Sequence, residues 1–181
     1  MSTAAIVILI VAIVVIAILA WMLFRKERTK KLRSQFGPEY DRTIKQYGTA
    51  AKAERDLELR QKRMQKVNIR SLTPAERERF AERWQVLQSR FVDDPAGTIH
   101  DADLLVTEIM SARGYPTIGF EGRADDLSVD HPLVVTHYRK AHEIAGKHEK
   151  GAATTEELRQ AVVCYRELFE ELLERHLATR R

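Results

Sequence analysis

Four of the six histidines, His131, His137, His142 and His148, fall in one short stretch. A metal pair on a helix needs ligands three or four residues apart, so that both imidazoles share a face. His137 and His142 are five apart, about 140° around a helix. His131 and His142 share a face but lie about 16 Å apart along it. The spacing therefore predicts surface or boundary histidines and no metal site. A denser polar group precedes them: Asp125, Asp126 and Asp130, with Ser128 and His131. Carboxylates beside an imidazole can hold a cation or act as general acid and base. Asp126, Asp130 and His131 are accordingly the candidate catalytic residues. The structural alternative outweighs that reading: Ser128 and Asp130 are helix-cap types, and the other acids can simply be solvated.

Other signatures of chemistry are missing. The chain has no G-x-x-x-x-G-K, no G-x-S-x-G and no H-E-x-x-H, and Gly119 with Gly122 is no dinucleotide fingerprint. His100-Asp101 resembles the central pair of the all-helical HD phosphohydrolases. That family also needs an upstream histidine and a downstream aspartate. Asp126 or Asp130 could supply the latter, but no histidine precedes His100. One cysteine, Cys164, excludes an internal disulfide and any cysteine-based zinc site. No cofactor is expected.

The elements that would position these residues begin with Ala4–Phe24, which holds no charge, glycine or proline. Its 21 residues would rise roughly 31 Å, matching a hydrocarbon core of about 30 Å. We expect an uncleaved transmembrane anchor with Trp21 at the interface. A cleaved signal peptide fits less well, because Met1-Ser2-Thr3 has no basic side chain and the stretch ends in bulky residues. No cysteine follows it, which excludes a lipoprotein. A basic cluster comes next: Arg25, Lys26, Arg28, Lys30, Lys31 and Arg33. The positive-inside rule then puts the N-terminus outside the cell membrane and residues 25–181 in the cytoplasm. The unpaired Cys164 fits a reducing compartment.

Charge is divided unevenly. Residues 25–70 carry net +9 and residues 71–181 net −5, which makes up the chain's +4. The basic excess therefore sits beside the apolar stretch. It suits anionic lipid headgroups, at about 1 kcal/mol per Lys or Arg, or serves only to fix topology. No zinc-finger spacing, RNP-like aromatic motif or basic recognition helix is present, so nucleic acid is rejected as a partner.

The fold expected is all-α, in three parts. Residues 1–24 are the anchor. Residues 25–70 are a charged juxtamembrane and spacer region, broken at Gly37-Pro38 and read over 49–67 as a solvated helix. Ala50, Leu57 and Met64 repeat at seven there, but Arg60 falls between Ala53 and Val67 and breaks the second seam. Residues 71–181 form a bundle of about four helices. Thr73-Pro74-Ala75-Glu76 opens the first, with the stripe Phe80, Trp84, Leu87, Phe91. Asp94-Pro95 opens the second and Gly114 closes it. Residues 117–130 read as irregular, with a helical turn near Glu121–Leu127. Asp130-His131-Pro132 opens the third, and Thr154 to Glu157 caps the last, which runs to about Ala178.

FGPEYDR, RFVDDP, RGYP, DLSVDHP and YRELFEELL, in that order across residues 36–173, resemble a group of bacterial single-pass membrane proteins without an assigned activity. That resemblance implies a recurring cytoplasmic domain and adds no catalytic residue. The expectation for function is a membrane-anchored protein-interaction or scaffold module with another protein as partner. The alternative is an enzyme or metal-binding domain using residues 125–131.

Overall fold

A computed structural model describes residues 3–116 and 119–173, the side chains of 3–9 and 11 excepted. Among the described residues there are eight helices and no strand: α1 (Thr3–Phe36), α2 (Pro38–Tyr47), α3 (Ala50–Met64), α4 (Pro74–Arg90), α5 (Pro95–Arg113), α6 (Gly119–Asp130), α7 (Val134–Glu149) and α8 (Thr155–Leu172). Most of the punctuation follows the expected residues; the exception is Asp130-His131-Pro132, because Asp130 ends α6 and α7 starts only at Val134, with no side-chain cap. Gly37 takes φ 49° and Pro38 starts α2, so the chain turns where Gly-Pro predicted. Thr73 and Thr154 each accept from the backbone N–H three residues on, while Glu76 and Glu157 reach back to the cap. Gly114, at φ 94°, ends α5. A Cβ there would stand 2.7 Å from the Asn68 carbonyl oxygen, so close backbone approach as well as conformation demands glycine.

The α4 cap carries a pH dependence. The Arg70 hydrogen bond, then the Thr73 backbone N–H, hold the Glu76 carboxyl down at about 2. A carboxyl lowered by folding stabilises only when ionised. Its contribution is complete above the ordinary value of 4.5 and is lost as pH falls toward 2. Glu76→Gln should therefore lower the urea midpoint at pH 7 and match the parent near pH 2. A midpoint difference that does not change with pH would sever the cap from stability.

Helix α8 packs against α5 and α7, and α4 covers α5. Their apolar stripes form the main core, which includes Phe80, Trp84, Leu87, Leu168 and Phe169, with Trp84 stacked on Phe169. A second, smaller core lies apart from it: Leu32 and Phe36 of α1, Tyr40 of α2 and Leu57 of α3.

Three expectations are corrected. Among the described residues no helix is long and apolar enough to cross a membrane. The side chains of 4–9 and 11, part of the expected anchor, lie outside the described set. The anchor is withdrawn, and with it the outward N-terminus, the cell-membrane assignment and the cytoplasmic placement of residues 25–181, all of which were built on it. Second, the solvated spacer is a packed helix: α3 buries Ala53, Glu54, Leu57, Arg60 and Met64. Third, the irregular stretch contains a full helix, α6, which docks on α3 and α7. The final helix is described to Leu172, with Leu173 as its C-cap; the rest of the expected extension to Ala178 lies outside the described residues.

Candidate functional site

Helix α6 carries the acidic group found in the sequence, and the structure spreads it over different partners. Asp126 is buried and accepts from Arg63 of α3, at 2.7 Å from Nε and 2.5 Å from Nη2. Asp130 accepts from the Tyr115 hydroxyl at 3.1 Å. His131 places Nδ1 2.9 Å from Glu171 of α8. Glu171 is therefore no free surface acid. The three candidates do not converge on one point. Asp130 and His131 do line one cleft of ≈520 Å³, with Gln35, Gln61, Arg113 and Tyr115. Among the described residues no three His, Cys, Asp or Glu side chains are grouped to hold a metal. His142 is stacked on Phe120 and His100 is exposed, its neighbour Asp101 paired with Arg90.

Beside that cleft lies a charged cluster that reading the sequence did not find. Arg60 of α3 is 2% exposed. Its guanidinium reaches Glu39 of α2 at 3.2 Å, Asp56 at 2.7 Å and Asp125 of α6 at 2.9 Å. Arg139 of α7 approaches from the other side, 2.9 Å from both Glu39 and Asp125 and 2.6 Å from Glu121. Glu39, 100 residues from Arg139, is itself buried. Burial pushes the Asp125 carboxyl above its usual range, opposed by Arg60 and then Arg139. For Arg139 burial works against the charge, but Glu39 and Glu121 outweigh it and raise its pKa. Nearby, Thr29 and the Tyr40 hydroxyl both donate to buried Glu54, at 2.7 and 2.9 Å. Burial first, then Glu54, raises the Tyr40 pKa. One signal pointed here: Arg60 interrupts an apolar seam, which is where a buried, paired charge would stand.

A third polar group joins α5, α6, α7 and α8. Arg123 donates to the Tyr138 hydroxyl at 2.8 Å and to Asp103 at 3.3 Å, and Tyr165 donates to Asp103 at 3.3 Å. Burial raises both tyrosine pKa values far up. These phenols stay protonated and serve as hydrogen-bonding core residues.

The basic cluster is split between faces of α1. Lys26 and Lys30, four apart, are exposed on one face, while Arg33 shares a face with Phe36, three residues on, and lies over the Tyr40 ring. Arg28 pairs with Glu58 and Arg33 with Asp41, while Lys26, Lys30 and Lys31 make no ion pair among the described residues. Just before them, Ile10 and the large apolar side chains from Ile13 to Phe24 are 49–72% exposed.

The short strings that suggested a membrane-protein group turn out to be mostly helix punctuation: Gly37-Pro38, Asp94-Pro95 and Gly114 are turns and caps that many helical chains share. No protein-family model, curated protein or solved structure matches the chain, and the resemblance is withdrawn.

Proposed function

We propose that this protein is a helical interaction module whose basic cluster engages anionic lipid headgroups and whose bundle presents a surface to another protein. One observation carries the reading. On α1 an exposed apolar stretch runs directly into exposed Lys26, Lys30, Lys31 and Arg33. Among the described residues nothing covers these apolar side chains, and an exposed apolar patch of this kind marks an interaction surface. The lysines beside them keep their charge available for phosphate.

The test is flotation of the full chain with phosphatidylglycerol-containing vesicles and with phosphatidylcholine vesicles. Binding should favour the anionic vesicles and weaken with salt. Lys26→Gln, Lys30→Gln and Lys31→Gln together should lower affinity roughly 100-fold, at about 1 kcal/mol per charge. Equal binding to both vesicle types, unmoved by the substitutions, would sink the headgroup reading.

A second reading is favoured by the cleft in which Asp130 and His131 both stand. Catalysis there would use His131, oriented by Glu171, as the proton-transfer group. A substrate screen against the chain and its His131→Asn variant decides it: an activity lost in the variant supports an enzyme.

A further inference from the structure

We propose that α1, α2 and α3 form one unit that undocks from the bundle as a body, pivoting at the end of α3, with the buried Glu39–Arg60–Asp125–Arg139 cluster as its latch. Three observations point the same way. First, the unit has its own apolar core of Leu32, Phe36, Tyr40 and Leu57, separate from the main one. Of the apolar side chains packed against either core, Val129 alone touches both among the described residues. Second, apart from Val129 and the Ser128 hydroxyl, the contacts recorded across the interface are between charged side chains. α2 contributes Glu39 and Arg42, α3 contributes Asp56, Arg60 and Arg63, α6 contributes Glu121, Asp125 and Asp126, and α7 contributes Arg139. A desolvated ionic interface regains much of its hydration when it opens, whereas an apolar one gains nothing from water. Opening here is therefore less costly than parting two helices of the main core.

Third, the pivot is fixed to the bundle. Met64 belongs to the main core, and Val67 and Ile69 of the following segment pack on it. The Arg70 N–H donates to the Arg113 carbonyl at 2.9 Å, and Gly114 lies against Asn68. A chain pinned at 64–70 and latched by charge before it has two arrangements, docked and undocked; the bundle stays folded in both, while the short helices α2 and α3 fray once they lose their contacts with it. The latch residues are not those of the basic cluster, so this inference stands whether or not the protein binds lipid.

Amide exchange of the full chain, followed by mass spectrometry, tests it. In the Glu39→Gln, Asp125→Asn double variant, α2 and α3 should exchange at least about tenfold faster, with α5 and α8 unchanged. Arg63→Asp, at a half-exposed position, should give the same pattern in milder form. Adding Asp126→Arg to it, which swaps the pair, should restore slow exchange. Acceleration of α2 and α8 together, no acceleration, loss of folding in the double variant, or failure of the swap to restore protection would each show that α1–α3 are a cooperative part of the main core.

Discussion

Replacing Trp84 with alanine is expected to destabilise the bundle by about 3–5 kcal/mol, a large share of a small domain's stability. Trp84 is 4% exposed. Its ring stacks on Phe169 of α8, centroids 4.8 Å apart at 19°. Phe80 and Leu87 flank it one turn to either side, so a cavity there has rigid helical walls and collapses poorly. The loss combines buried aromatic area with the stacking contact that joins α4 to α8. The measurement is urea unfolding followed by helix circular dichroism. Fluorescence adds a site-specific probe in a Trp21→Phe background, because the chain has two tryptophans and Trp21 is 60% exposed. Trp84 emission should begin blue-shifted and move red in one cooperative transition. An alanine variant with the parent's midpoint would show that the α4 stripe does not hold the bundle together.

Removing the cation at the centre of the ionic cluster should be as costly to the docked arrangement. Arg60→Met leaves Glu39, Asp56 and Asp125 facing one another without it, at a cost of about 3–5 kcal/mol. The amides of α2 and α3 should exchange correspondingly faster than in the parent at the same pH. The pH dependence has a definite sign. Asp125 is already raised by burial, with Arg60 the chief opposing influence. A carboxyl raised by folding binds its proton more tightly in the folded state, so its folded form loses stability as pH rises through that window. Without Arg60 the window extends upward. The variant's deficit should be largest at neutral pH and shrink as pH falls into the carboxylate range. Substituting Glu39→Gln and Asp125→Asn in the Arg60→Met background should recover part of the loss. A deficit that is the same at all pH values would mean that unpaired charge is not its cause.

Reading the chain located α4, α5 and α8 well because their signals are local, whereas Asp130, expected to open α7, instead ends α6, and α7 starts at Val134 without a side-chain cap. Thr73 and Glu76 meet within one turn, as do Thr154 and Glu157, and Gly114 stops a helix through its own backbone freedom. The stripe Phe80, Trp84, Leu87 points inward because spacing alone puts those side chains on one face; Phe91, just past the end of α4, is only partly buried. Helix α6 was harder to see. Gly119 and Gly122 lower its intrinsic propensity, and its packing against α3 and α7 supplies what propensity does not.

The fate of the candidate residues was not legible at all. Asp126 could be a catalytic acid or a structural partner. The arginine that decides between them is 63 positions away. His131 meets Glu171 across 40 residues, and Glu39 meets Arg139 across 100. Helix type, helix ends and inward faces are properties of residues within a few positions of each other, so the order of amino acids settles them. Which charges end up buried together depends on how whole helices pack, and only the folded chain brought Arg60 into an interrupted seam beside the carboxylates that neutralise it.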